Sequence, residues 1–420
     1  MIAQPAKTPV RNSSKFLLAN SLWLLIGRGG SQALALLLTI IVARSLGDVG
    51  LGQFTVVLTL VFIGNVFSTF GLDTLLIRAV ARDPAKAPLS AVLTIQIGLS
   101  FLFIAGVWLL APVDVVGRGM RVYSLALLPL AVTTACNAIL RAHERMNVYT
   151  GLQLFAAAVR LAVVAGLLFS GAGFLAIMWG LLVCQLGEAL AAGFTTAQLS
   201  KSTYSWATIK NKPHTFELEQ TFKAGLLLAA LTLFAILYQR VAILLLAYAG
   251  DSAMTGQFSA ALRLADIPRM VPYALAGALF PAMARNNGNS SERSPSGRWF
   301  LLLGATFAGL ALTIWPLSAW LHQLVYGAGY AAAAGVLPIV AWSLVPFVAV
   351  LYGSFVLVAR NQEQQVMLAH ATALILAIGT GLIGLARWGL PGLAGALVLT
   401  EVIHALILLT LARRSLHGSS

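Results

Sequence analysis

The apolar part of the chain opens with residues 16–44, FLLANSLWLLIGRGGSQALALLLTIIVAR, and continues at 50–77 with GLGQFTVVLTLVFIGNVFSTFGLDTLLI. Each stretch exceeds the roughly 20 residues a helix needs to cross the hydrocarbon layer of a bilayer. Their flanks decide the reading. Lys7, Arg11 and Lys15 precede the first stretch, only Arg44 stands between the two, and Arg78, Arg82 and Lys86 follow the second. Short connections rich in Lys and Arg stay on the cytoplasmic side, so the pair reads as one transmembrane hairpin with both ends inside.

Working outward, ten further apolar stretches follow, at 87–111, 121–141, 149–171, 174–199, 221–248, 253–284, 299–321, 331–359, 364–386 and 389–412. Every second gap, or the end, holds Arg141 and Arg145; Lys201, Lys210, Lys212 and Lys223; Arg285, Arg293 and Arg298; Arg360; and Arg413 and Arg414. The intervening gaps hold only Arg44, Arg118, Arg121 and Arg387, so 18 of the 27 basic residues mark one face. That asymmetry predicts an even number of spans with both termini cytoplasmic. Trp108, Trp299, Trp320 and Trp388 fall at predicted headgroup depth. The first stretch is full length and carries Arg28, so it reads as a span, not a cleaved signal peptide.

Composition excludes other classes. With 59% hydrophobic and 10% charged residues the chain is too apolar for a soluble domain. The net charge of +14 is scattered over short loops, which speaks for anionic headgroups and against nucleic acid. Cys136 and Cys184 both lie in apolar stretches, a poor basis for a disulfide framework or a zinc site. Outer connections are short and nearly free of Asp, Glu and His, with Asp114 and His322 weak material for catalysis, so no enzyme and no cofactor are expected.

The loop from Ser200 to Gln220 divides the spans six and six. Gly52-Gln53-Phe54-Thr55 in span two is echoed by Gly256-Gln257-Phe258-Ser259 in span eight, and Ala79-Val80-Ala81-Arg82 by Ala282-Met283-Ala284-Arg285. The expectation is an all-α polytopic membrane protein of 12 transmembrane helices, in two pseudo-symmetric six-helix bundles around a central cavity, with 1–200 and 221–420 as bundles and 201–220 as cytoplasmic linker.

Charges inside the spans carry the functional reading, because each costs about 2.5–3.5 kcal/mol at the bilayer centre and so faces a cavity or a partner. Arg28, Arg160, Arg240, Arg263 and Arg269 oppose Glu188, Asp266 and Glu401, five against three. Arg28 stands among Gly27, Gly29 and Gly30, which would leave the backbone open to a headgroup; helix packing by those glycines is the plainer alternative. Arg263, Asp266 and Arg269 share one side of span eight, as a ligand face or as a ladder in which Asp266 neutralises both neighbours. Pro268 and Pro272 interrupt that helix, which places it beside a cavity. Arg240 either faces the cavity or snorkels, Arg160 binds ligand or pairs with Glu188 or Glu401, and Arg78 is a loop arginine or meets an entering phosphate. Glu401 and His404 share a face of span twelve, as a proton relay or a packed polar pair.

Several stretches resemble lipid-linked oligosaccharide flippases, the O-antigen and exopolysaccharide repeat-unit exporters of the multidrug/oligosaccharidyl-lipid/polysaccharide superfamily. They are Ala43-Arg44-Ser45-Leu46-Gly47 with Gly50, Gly52 and Phe54; Phe70-Gly71-Leu72 with Arg78; Gln257 to Leu264; Phe280-Pro281 with Ala284-Arg285; and Tyr326-Gly327-Ala328-Gly329-Tyr330 ahead of Ala334 and Leu337. The resemblance runs from about Trp23 to Arg414. One departure is Tyr238-Gln239-Arg240-Val241-Ala242, which keeps an Arg but lacks the Asp that such flippases often carry two residues later. The resemblance implies a bacterial inner-membrane flippase that moves a polyprenyl-pyrophosphate-linked oligosaccharide to the outer leaflet by alternating access. Its partners would be that lipid, membrane lipids, and a polysaccharide polymerase or other assembly proteins. The guanidinium groups would neutralise the pyrophosphate. A cation-coupled drug exporter of the same superfamily is the nearest rival, a membrane glycan polymerase or ligase the next, and a scaffold the third.

Overall fold

The computed structural model describes residues 14–83, 87–200, 215–273 and 295–417. The expected echo at Ala282–Arg285 and Phe280-Pro281, the linker residues up to 214 and the end of span eight lie outside them.

Among the described residues the chain is helical throughout, with α1 Ser14–Thr69, α2 Leu72–Arg82, α3 Leu89–Leu110, α4 Val115–Ser124, α5 Leu127–Ala142, α6 Met146–Phe169 and α7 Phe174–Ser200 in the first half. The second half runs α8 Thr215–Tyr248, α9 Ser252–Asp266, α10 Pro295–Val325, a 3-10 turn Ala328–Tyr330, α11 Ala331–Ala341, α12 Leu344–Ala359 and α13 Glu363–His417. Helix α8 thus begins inside the stretch expected as linker.

Seven of these helices are long and apolar enough to cross a membrane, and α4–α5 and α11–α12 form two bent pairs that pass the same test. Helices α1 and α13, of 56 and 55 residues, are about twice the length a bilayer accommodates. Each is broken by a glycine at positive φ, Gly47 (φ 68°) and Gly389 (φ 62°), in a region of backbone space almost closed to other residues. Each therefore crosses twice. With α9 as the first part of span eight, the chain has twelve spans.

Two span boundaries differ from the sequence expectation. Span two is not continuous over 50–77, because Phe70 (φ 50°) and Gly71 (φ 68°) are both left-handed, which ends a right-handed helix. The break is packed: Phe70 stacks on Phe222 with centroids 4.6 Å apart. Span four starts at Val115, not 121, because Asp114 caps the helix by accepting from Gly117 N at 2.8 Å, and it bends by 41° before Leu127. Arg118 and Arg121 are thus helical, with Arg121 donating to the Ala111 carbonyl at 2.6 Å.

The helices pack as two groups that meet mainly where α1 lies against α9 and α8. Here the internal repeat becomes physical. A Cβ on Gly52 would stand 1.8 Å from the Ser252 carbonyl oxygen, and one on Gly256 1.9 Å from the Asp48 oxygen. Asp48 precedes Gly52 by four residues, as Ser252 precedes Gly256. Such reciprocal contact between equivalent positions is what a two-fold relation requires. Thr55 donates to Ser259, the matching residue, at 3.2 Å. The seal lies at the face opposite the basic gaps and is reinforced there by side chains. Arg44 donates to the carbonyls of Val325 (2.9 Å) and Leu324 (2.5 Å), and Tyr330 donates to Ala43 O (3.2 Å). Gln257 donates to Asp48 Oδ2 (2.9 Å) and Gly329 O (2.7 Å) and accepts from Ala333 N (3.0 Å).

Candidate functional site

Inward from that seal the two halves diverge around a cavity of about 280 Å3, walled by spans one, two, four, five and six on one side and by spans seven and eight on the other. Spans two and eight supply Thr55, Asn65, Ser259 and Arg263, and span seven supplies Arg240. A second cavity of about 330 Å3 lies within the second half, between spans seven, eight, ten, eleven and twelve. Leu262 lines both, and on span seven Tyr238 and Gln239 face the second cavity while the adjacent Arg240 faces the first.

The intramembrane arginines separate into two kinds. Arg160 is paired: its Nη2 contacts Glu188 on the neighbouring span and donates to Gln185 Oε1 at 3.2 Å. Arg269 is also paired, with Asp266 at 3.2 Å, and donates to Ser343 Oγ at 2.8 Å while its guanidinium lies 4.9 Å from the Phe347 ring centroid. Arg240 and Arg263 form no ion pair among the described residues, although both line the central cavity. Arg240 sits 5.2 Å from the Phe62 ring centroid across the interface, and its buried Nε has no hydrogen-bond partner among the described residues. The aromatic face supplies a cation–π contact, and the Asp266 carboxylate in the same cavity lies within electrostatic reach without forming an ion pair with it.

The charge ladder on span eight is therefore incomplete, since Asp266 neutralises Arg269 and leaves Arg263 over. Helix α9 ends at Asp266, next to Pro268, as the proline pattern predicts.

Arg28 lines neither cavity; its side chain is exposed, makes no hydrogen bond or ion pair among the described residues, and lies within electrostatic reach of Tyr273. Two of the glycines beside it serve close packing, the plainer alternative: a Cβ on Gly27 would stand 3.0 Å from Thr150 and one on Gly30 2.5 Å from Leu154, both on span five, where Thr150 also donates to Trp23 O at 2.9 Å. Gly29 is open, a Cβ there meeting only Met270 at 3.9 Å. Arg78 is exposed on α2, away from both cavities.

Glu401 and His404 are both buried in the second cavity, but they do not bond each other. Glu401 accepts a hydrogen bond from the Tyr238 hydroxyl across the bundle. His404 packs edge-on to Tyr238 and His370, with centroids 5.0 and 4.8 Å away. Sequence reasoning missed His370, Ser343 and Phe347, which no motif marks, and read Arg44 as a gap residue and part of the family resemblance without its bonds to Val325 and Leu324. Gln257 had a signal, its place in the repeat, but not its bonding role.

A family model described as "Polysaccharide biosynthesis protein" matches residues 17–287. No curated protein matches the chain. Among solved structures, an inward-facing multidrug resistance MATE family transporter of the MOP superfamily superposes with a TM-score of 0.72 at 14% identity, covering 92% of this chain and 95% of that one. Its outward-facing counterpart scores 0.66 at 14% identity, with 96% of each chain covered. A MOP superfamily transporter from Pyrococcus furiosus, described as having a binding pocket of reversed polarity, scores 0.67 at 14% identity over 96% and 95%. The fold is that of these transporters, twelve transmembrane helices in two bundles.

Proposed function

Because the chain belongs to the polysaccharide biosynthesis protein family, we propose that it is a flippase that carries a polyprenyl-pyrophosphate-linked oligosaccharide from the cytoplasmic to the outer leaflet of a bacterial inner membrane. Residues 1–200 and 221–420 act as the two bundles, both termini and the Lys- and Arg-rich gaps face the cytoplasm, and the Gly52–Gly256 seal closes the outer end.

The observation that carries this reading is the excess of guanidinium over carboxylate in the space between the halves: Arg240 and Arg263 form no ion pair among the described residues, and Asp266, the carboxylate beside them, is held by Arg269. A buried cation without a counter-ion is costly unless an anion arrives to pair with it. The forked donors of Arg match phosphate oxygens, so a diphosphate bridging spans seven and eight offsets the desolvation of both. Arg28, exposed on span one and within electrostatic reach of Tyr273, meets the headgroup on entry, while the polyprenyl chain remains in lipid. Arg160 and Arg269, already paired, hold the cavity walls. The same excess of positive charge disfavours cationic drugs as cargo. With an inside-negative potential, outward movement of an anion is downhill by about 2.3 kcal/mol per charge per 100 mV, so the potential supplies the driving force.

Two measurements test this. Arg28→Ala should abolish complementation of a flippase-null strain while membrane insertion stays intact; full complementation removes Arg28 from the path. In proteoliposomes, translocation of a fluorescent polyprenyl-diphosphate oligosaccharide should accelerate with an imposed potential of the correct sign. Rates indifferent to the potential would reject that driving force.

A further inference from the structure

The second cavity holds polar groups that the flippase mechanism does not use. His404 is 0% exposed, yet neither ring nitrogen has a hydrogen-bond partner among the described residues, and Ser354 Oγ is likewise buried and unbonded. Both line this cavity. Leaving such atoms unpaired costs about 1–3 kcal/mol each, so the site is built for something that bonds to them.

The chemistry of the missing partner can be read from the donors and acceptors. In either neutral tautomer His404 presents one N–H and one acceptor nitrogen, and Ser354 both gives and takes a hydrogen bond. A phosphate only accepts, a guanidinium only donates and a hydrocarbon does neither. A hydroxyl does both. The local ions are already engaged, Arg269 with Asp266 and Ser343, and Glu401 with Tyr238, so the site does not call for a charged ligand. His370, bonded to the Val366 carbonyl, and Gln239 add polar groups, and the rest of the wall is aromatic and aliphatic, including the Tyr273–Phe347 pair at 5.4 Å, Val350 and Leu351. Apolar faces with a rim of hydroxyl-matching groups suit a sugar ring, and about 330 Å3 falls in the usual range of small-ligand pockets, roughly 300–1,000 Å3.

Position agrees. Leu262 is a wall common to this cavity and the arginine cavity, and Tyr238 and Arg240 lie two residues apart on span seven. One ligand can therefore reach both. We propose that the cavity around His404, Ser354 and Glu401 is a sugar subsite that holds an uncharged saccharide unit of the cargo beside the arginine-bound diphosphate, and so sets which glycan is carried. This rests on the flippase reading.

The test uses the full chain in nanodiscs and two probes, bare polyprenyl diphosphate and the same lipid bearing a neutral oligosaccharide. Wild type should bind the glycosylated lipid roughly tenfold tighter than the bare one. His404→Phe should remove most of that preference and leave affinity for the bare lipid unchanged, with Ser354→Ala acting in the same direction without filling the cavity. Equal affinity of wild type for the two lipids, or an equal loss for both in each variant, would overturn the subsite. So would an intact preference accompanied by an altered pH profile of translocation, which would make the cluster a proton site. Arg240→Gln/Arg263→Gln separates the two ideas: it should weaken both lipids alike. If wild type binds neither lipid, the flippase reading falls and the subsite with it.

Discussion

The interface between the halves is built differently at its two depths. At the face opposite the basic gaps, spans one, two and eight meet backbone to backbone, with Gly52 on Ser252 and Gly256 on Asp48 and no room for a methyl group. Deeper in the membrane the same helices stand apart around Arg240 and Arg263, which form no ion pair among the described residues because Asp266, the carboxylate in that cavity, is bonded to Arg269. Shape fastens one end; unbalanced charge keeps the other receptive. A transporter needs both, since a seal that can form and part must be small and self-complementary, whereas a binding layer must hold unsatisfied groups until cargo supplies the counter-charge.

The largest effect should come from breaking the seal. Gly256→Leu places carbon where the Asp48 carbonyl now stands, so the closed end cannot form. A cysteine at Thr55 in that background should become reactive to a membrane-impermeant maleimide added from the sealed side, and translocation should cease. Continued protection would mean the glycine contact is not what closes this end.

The receptive layer is next. Arg240→Gln with Arg263→Gln should reduce translocation in proteoliposomes by roughly two to four orders of magnitude, from the loss of two charge-assisted contacts of about 1.5–3 kcal/mol each, while thermal stability holds or rises because two half-buried charges without ion pairs are gone. A marked drop in stability instead would show these arginines to be structural.

A third test sharpens the contrast between free and paired arginines. Glu188→Gln leaves Arg160 without its carboxylate; with Arg160 part-exposed, we expect a loss of about 2 kcal/mol in stability, below the 3–5 kcal/mol of a fully buried pair. Adding Arg160→Gln should recover much of it. Thermal unfolding in detergent of the two single variants and the double variant measures the coupling.

The smallest effect distinguishes the repeat partners. Gln257→Ala removes three hydrogen bonds at the seal and should cost about 1–2 kcal/mol. The matching Gln53→Ala, which loses no hydrogen bond to a described residue, should stay within about 0.5 kcal/mol of wild type. Equal costs would mean that the two halves share the sealing work evenly.

Much of this was legible in the chain itself. Twelve apolar stretches, their basic and non-basic gaps and five intramembrane arginines can be read by counting, because transfer into lipid depends on each segment's own residues. The Gly-Gln-Phe repeat even marked the two stretches that meet on the pseudo-two-fold. Tertiary structure alone decided which polar groups are spent: that Arg160 meets Glu188, that Asp266 turns to Arg269 and not to Arg263, and that Glu401 accepts a hydrogen bond from Tyr238 while His404 has no hydrogen-bond partner among the described residues. Those partnerships depend on which helix faces abut, and that is set by small residues and breaks such as Gly52, Gly256 and Phe70-Gly71 that bring distant segments together. Hydropathy is a sum along the chain; neutralisation is a distance between side chains, which has no value until the helices have packed.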